Sequence, residues 1–302
     1  MALKDIKSAI AAKLRTNKVT RAMEAVSAVK MRKTQVAAIA DRAYARAAAN
    51  ILARLSGSAD VKRHPLAEAR TVRKTALIVI TSDKGLAGAL NSSVLKEAAL
   101  RVEGRPVSDI VVYAYGRKGI EYFSRRGYSV AKAVENKRDD VPLAIMEELA
   151  KEVADGFLAG EFDEAVAIYS NFKSTFEQLP VARTLLPLSL ENVQALVSDI
   201  IPEKGKFAET AAIASPSSYS VEPSAEAVIG AIVPRLVSVS LYHMLLEAKA
   251  SEHSARMVAM KNASDKSKEV ARELTRKFNK IRQAAITREV SEIVSGREAL
   301  AS

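Results

Sequence analysis

RLVSVSLYHMLLEAKASEHSARMVAMKNASDKSKEVARELTRKFNKIRQAAITREVSEIVS, residues 235–295, contains neither Gly nor Pro and lies between Pro234 and Gly296. The other end behaves alike: residues 1–56 hold neither, and Gly57 is the first. Gly and Pro are the strongest interrupters of a helix, so both ends read as continuous helices. At about 1.5 Å per residue each would reach roughly 80–90 Å. No compact domain of a 302-residue chain encloses rods of that length. They must project, and their apolar faces must bury against each other or against a partner.

The apolar spacing supports pairing. Val270, Leu274, Phe278, Ile281 and Ala285 follow at intervals of 4, 4, 3 and 4. Leu3, Ile6, Ile10 and Leu14 follow at 3, 4 and 4; Met23 and Val26 continue the stripe, then Met31, Val36 and Ile39 less regularly. Such spacing makes a narrow seam, as in a two-stranded coiled coil. Its breaks predict irregular supercoiling.

Between the rods the pattern changes. Short apolar runs at 75–81, 109–116, 128–134, 164–172 and 181–188 read as strands. Segments 90–103, 117–127 and 141–160 read as helices. The alternation predicts an α/β domain with a mostly parallel sheet, of Rossmann-like type. Residues 202–224 are rich in Pro, Ser and Gly and read as loop, with a strand near Ala212. Ser224 is a candidate N-cap for the last helix, and Pro234 is expected to kink it. The expected division is an N-terminal shaft helix (1–56), a linker (57–74), an α/β foot (75–200), a loop segment at the foot (201–224) and a C-terminal shaft helix (225–302). Domain termini usually lie close together, so two rods leaving one domain run antiparallel and pair.

Charge follows the same division. Residues 1–56 carry 12 Lys and Arg against 3 Asp and Glu, and residues 235–302 carry 13 against 8. The middle holds 21 against 24. Basic rods imply an acidic partner: nucleic acid, an anionic surface or acidic protein loops. Lys18, Arg21, Lys30, Arg32 and Lys33 do not all share one helical face, which favours a solvated face over a phosphate-binding stripe. There is no cysteine, hence no disulfide, thiolate metal site or thiol switch within this chain. The start, MALKDIKSAIAAKL, has charges within its apolar stretch and reads as neither a signal peptide nor a span.

Few motifs suggest chemistry. SDKGLAGALN (82–91) joins a strand to a helix, and Gly85 and Gly88 would let backbone amides approach a phosphate. GLAG lacks the third glycine of a dinucleotide fingerprint and no GxxxxGK(S/T) occurs, so a tight strand-to-helix turn with Asp83 as a cap is the favoured reading. His64, His243 and His253 lack metal-ligand spacing and read as surface or interface residues. No nucleophile–base set or carboxylate pair can be singled out, so neither a catalytic site, a cofactor nor a metal is expected. In EHSARMVAMKNAS (252–264), Arg256, Met257, Met260 and Lys261 stand at helical spacing. That suits amphipathic packing, or a contact surface that re-packs against several partners. On these residues alone, a basic coiled-coil binder of nucleic acid and a nucleotide-using α/β enzyme remain as alternatives.

The segments IKSAIAAKLRTNKVTRAMEAVSAVKMRK (6–33), TSDKGLAGALN (81–91), EPSAEAVIGAIVPRLVSVSLYHMLLEAKASEHSARMVAMKNAS (222–264) and FNKIRQAAITREVSEIVSG (278–296) resemble the gamma subunits of F-type ATP synthases, in that family's order. The resemblance implies a central rotor shaft coupling proton-driven rotation to ATP synthesis, with the chemistry done on beta. It implies partners: three alpha and three beta subunits, epsilon, and a ring of c subunits through which alone the chain meets the membrane. It implies no nucleic acid, and a peripheral place on the cytoplasmic face of a bacterial inner membrane, or the matrix face in an organelle. By the same resemblance Met23 would lie near an acidic loop of beta, where an added positive charge should impair coupling. Arg256, Arg282, Gln283 and Thr287 would engage catalytic-subunit loops. Tyr219 and Glu222 would lie against the c ring. Val290, Ile293 and Val294 would form a tip turning in an apolar sleeve. Lys84, Ala87 and Ala89, Val221, Lys266 and Arg288 depart from common family choices.

Overall fold

The computed structural model describes residues 3–55, 64–137, 140–188, 192 and 225–301. The expected strand near Ala212, the Ser224 cap, the foot loop with Tyr219, Val221 and Glu222, and the side chain of Ile39 lie outside the described residues. The chain divides into two compact units, one of residues 29–255 and one that joins residues 1–28 to residues 256–302.

The breaker-free ends are helical as expected. Helix α1 spans Leu3–Leu55 and the last helix Ala225–Ala301. Their 53 and 77 residues correspond to about 80 and 115 Å. The last helix continues through Pro234. Pro234 is the tenth residue of the helix, so the helix continues across an interior position that lacks one intrahelical N–H.

In the 29–255 unit, β1 (Thr75–Ile80), α2 (Leu90–Val102), β2 (Ile110–Tyr115), α3 (Arg117–Ser124), β3 (Ser129–Val134), α4 (Leu143–Leu158), β4 (Glu164–Phe172) and β5 (Gln178–Leu186) follow in order. The last helix is α5. The sheet order is β3-β2-β1-β4-β5. The first four strands are parallel, and β5 returns antiparallel to β4. This is the Rossmann-like order expected of helices crossing over on both faces. Strand β5 begins at Gln178, ahead of the expected Val181, because a tight hairpin extends its pairing to Phe172.

Alternate residues of the strands face opposite layers. Leu77, Val79, Val112, Ala114 and Ile168 pack with Val94 and Ala98 of α2 and with Phe123 of α3. Ile78, Ile80, Tyr113, Tyr115 and Tyr169 pack with Met146, Val153 and Phe157 of α4 and with Leu241 and Leu245 of α5. All six β1 residues are buried, which is why TALIVI has no alternation. At the edge, Lys132 of β3 reaches Glu148 and Glu152 of α4. Burial alone would lower its pKa, but these two hydrogen bonds and their charges outweigh that and raise it.

Residues 1–28 and 256–302 form the second unit as an antiparallel pair of helices. The amide of Asn17 donates to the carbonyl of Ser264 at 2.7 Å and to its hydroxyl at 2.8 Å. Val270, Leu274, Phe278, Ile281 and Ala285 are all half-buried, as the seam predicts. On α1 the seam differs from expectation. Leu14, Val26 and Val36 are 48%, 56% and 67% exposed, whereas Ile6, Thr20, Ser27, Met31 and Thr34 are buried. Thr20 and Ser27 stand seven residues apart, whereas Lys13, seven before Thr20, is exposed. The hydroxyls of Thr20 and Thr34 donate to the carbonyls of Thr16 and Lys30 at 3.0 and 2.7 Å. With its hydroxyl satisfied on its own helix, a threonine presents a methyl group to the seam.

Candidate functional site

The glycine-bearing turn after β1 is built to stay closed. Thr81 donates its backbone N–H to the Tyr115 carbonyl at 2.8 Å, and its hydroxyl accepts the N–H of Gly119 at 2.8 Å. Gly116 is obligatory here: φ is +94°, and an added Cβ would lie 2.1 Å from the Thr81 carbonyl oxygen. Ser82 and Asn91 bind each other across the turn. The Asp83 carboxylate accepts the N–H of Arg117 at 2.6 Å. Asp83 is therefore a cap, but of α3 and not of the helix that follows it in sequence. The carboxylate thus fills the start of α3, while the start of α2 at Leu90 has no side-chain cap. Leu86, at φ +63° and 63% exposed, forms the tip of the turn.

The histidines depart from the expected surface placement. His243 and His253 are 2% and 3% exposed, enclosed where α5 packs in the α/β unit. Nε2 of His243 lies 3.5 Å from Glu247. His64 is half-buried and accepts the N–H of Leu66 on Nδ1, and burial lowers its pKa. Among the described residues no group of three His, Cys, Asp or Glu is placed to hold a metal ion. A groove of about 700 Å³ lies between α4 and α5, floored by Leu66, Ala150 and Tyr242 and rimmed by Glu147, Lys151 and Arg235. No set of polar groups converges in it as a small-molecule site needs.

The helical unit presents more surface than it buries. Lys18, Arg21, Arg282 and Gln283 are exposed and Met23 is half-buried. Thr287 is exposed and its hydroxyl donates to the Gln283 carbonyl at 3.0 Å, fixing its rotamer. Arg256 differs from these, being only 6% exposed. From 286 to 297 the helix is exposed on every side. Ile286, Val290, Ile293 and Val294 are 51%, 54%, 71% and 50% exposed. They stand at i, i+4, i+7 and i+8, one face of a helix. Ile286 was not among the tip residues expected from sequence; its place four residues before Val290 is the signal that marks it. A one-sided exposed apolar stripe of this kind is uncommon on a protein surface that meets only water. The described residues thus offer a closed turn in the α/β unit, with Asp83 on the start of α3, and a helix end that exposes Arg282, Ile286, Val290, Ile293 and Val294.

A family model described as ATP synthase matches residues 2–300. The ATP synthase gamma chain of Moorella thermoacetica is 38% identical over 99% of both chains. That of Chloroflexus aurantiacus is 40% identical, again over 99% of both. A chain from the central stalk and c ring of the Tetrahymena thermophila mitochondrial ATP synthase is 26% identical, with a TM-score of 0.60, covering 82% of this chain and 99% of that one. A chain of the Euglena gracilis mitochondrial ATP synthase shares the fold at 16% identity, with a TM-score of 0.65, over 99% of this chain and 94% of that one.

Proposed function

The chain belongs to the ATP synthase gamma-chain family, and on that premise we propose that it turns as the shaft of the central stalk without a catalytic site of its own. It couples rotation of a c ring to ATP synthesis at beta subunits, and the reverse during hydrolysis. The observation that carries this reading is the joining of the two chain ends into one helical unit whose last turns expose an apolar face. A rod that must turn against several partners needs a stiff seam inside and weak, distributed contacts outside. The tie from Asn17 to Ser264 supports the first, and the exposed Lys18, Arg21, Arg282 and Gln283 support the second. Exposed charge pairs contribute about 1 kcal/mol or less each, so shape carries most of the coupling.

Met23, Arg282, Gln283 and Thr287 are the proposed contacts with the alpha and beta subunits. Arg256, being buried, would shape that surface from behind. Ile286, Val290, Ile293 and Val294 would form the apolar bearing tip. Tyr219 and Glu222 are proposed to meet the c ring, and an epsilon subunit completes the stalk. The division into shaft helices 1–56 and 225–302, linker 57–74, foot 75–200 and foot loop 201–224 is the functional counterpart of this reading. No described helix is long and apolar enough to cross a membrane. The proposed place is therefore peripheral, held through the c ring on the cytoplasmic face, or the matrix face in an organelle.

The test is reconstitution with cognate alpha and beta subunits, read by native mass and ATP hydrolysis. One copy per three alpha and three beta, with hydrolysis dependent on its presence, is the expected result. Absence of any stable complex would overturn the shaft reading.

A further inference from the structure

Strand β4 and the hairpin after it meet α5 through three hydrogen bonds. Asn171 Nδ2 donates to Glu247 Oε2 at 2.7 Å. The Ser251 hydroxyl donates to the Ser170 carbonyl at 3.0 Å. The Ser254 hydroxyl donates to the Thr175 carbonyl at 2.7 Å. Residues 247, 251 and 254 stand at i, i+4 and i+7, on one face of the helix. Ser170, Asn171, Ser251 and Ser254 are each at most 3% exposed. The hairpin that presents Thr175 is itself held: the Ser174 hydroxyl accepts the N–H groups of Phe176 and Glu177 at 3.3 and 3.1 Å. Gln178 Nε2 donates to the carbonyls of Ser174 and Thr175, both at 3.0 Å.

We propose that these bonds form a torque clasp, with Asn171, Glu247, Ser251 and Ser254 as positioning residues that fix the angle of α5 about its own axis against the sheet. The inference rests on the shaft reading. Leu241, Leu245 and Ala248 bind the helix to the same layer, but apolar adhesion has no preferred angle. A helix held only by such contacts turns or slides under load by exchanging rotamers. Hydrogen bonds have narrow limits of distance and angle. Rotating α5 by one residue position, about 100°, would break all three at once. It would also leave buried polar groups without partners, which opposes the turn far more than the bonds' net contribution to folding suggests. Rotation imposed on the α/β unit thus passes into the helix without slippage.

The test uses the complete complex reconstituted in vesicles, comparing ATP hydrolysis with ATP-driven proton uptake. The variants are Ser251→Ala with Ser254→Ala, and Asn171→Leu with Glu247→Leu. Each removes clasp bonds; the serine double variant leaves the Ser170 and Thr175 carbonyls in place, the latter still accepting from Gln178. Hydrolysis should stay within about twofold of the parent, while protons taken up per ATP fall at least twofold. Glu247→Gln and Ser254→Thr, which keep the acceptor and the hydroxyl, should restore the ratio. A purely structural role would lower thermal stability without changing that ratio in the assembled complex. Should a double variant fail to fold, Ser254→Ala alone is read the same way and must show a smaller fall. An unchanged ratio in folded variants overturns the clasp. A parent complex that hydrolyses ATP but pumps no protons overturns the shaft reading and the clasp with it.

Discussion

Helix α5 carries two Lys–Glu pairs of the same spacing. Lys249 and Glu252 lie 2.9 Å apart in the α/β unit, with side chains 3% and 4% exposed. Lys266 and Glu269 lie 2.8 Å apart in the helical unit, 68% and 55% exposed. Sequence and distance are nearly the same, yet the surroundings make them different objects. The buried pair sits among Ile80, Thr81, Ser82, Leu90 and Ser170, where each charge has given up its hydration and depends on the protein for replacement. The exposed pair is screened by water and salt and fixes little. The difference teaches where α5 is specified by its neighbours and where it merely persists as a helix, offering its surface to others.

The largest effect should come from breaking the buried pair. Glu252→Ala leaves Lys249 short of counter-charge and should destabilise the chain by about 3–5 kcal/mol in urea unfolding. Replacing both, Lys249→Met with Glu252→Leu, should recover most of that loss. If the single variant proves neutral, burial does not distinguish the pairs. Next, Leu245→Ala empties a fully buried site and should cost about 2–5 kcal/mol, while Ile293→Ala on the exposed tip should fall within about 0.5 kcal/mol of the parent in the same assay. Ala285→Pro should cost about 3 kcal/mol of helix stability and abolish coupled proton pumping in the assembled complex. Normal coupling with that proline in place would contradict a continuous shaft. The smallest effect belongs to the exposed pair, where Glu269→Ala should leave the neutral-pH midpoint unchanged. Its hydrogen bond and then its charge raise the pKa of Lys266. Any contribution is therefore complete below the ordinary lysine pKa and lost as pH rises through the raised value. A parent–variant difference that grows toward alkaline pH would reverse that sign.

Much of this contrast was legible in the residues. Two breaker-free runs gave two long helices, and β1, β2, β3 and β4 fall where apolar runs were read as strands. The α1 seam was not. Counting apolar residues placed Leu14, Val26 and Val36 inside, but the buried positions are the polar Thr20, Ser27 and Thr34. A hydroxyl satisfied within its own turn behaves as a small apolar group, and no hydropathy value says which threonines do this. The polar stretch SEHSAR, read as part of an amphipathic or contact segment, is mostly buried, because its partners come from β4 and the hairpin after it about eighty positions earlier in the chain. Such partners leave no local signal. Of the candidate contacts, Arg282, Gln283, Thr287, Val290, Ile293 and Val294 are exposed as a binding surface requires, whereas Arg256 is not. Exposure in a lone chain says which residues are free to meet a partner, and the partner's own shape decides which of them do.

The helical unit is discontinuous: its halves are the first 28 residues and the segment from Arg256 to Ser302. Time enters through that arrangement. The amino-terminal half is made first and has no mate until the segment from Arg256 onward has followed it. Meanwhile the contiguous 29–255 unit can complete its local contacts, which form faster than those between distant positions. The newborn N-terminal strip, with Ile6 uncovered, must be kept from other partners for the whole of synthesis. Its many lysines and arginines, solubilising while it waits, then become the outer surface of the finished pair. A unit joined from two distant segments cannot be closed half-made, so a chain that stops short of Arg256 carries its first helix unpaired.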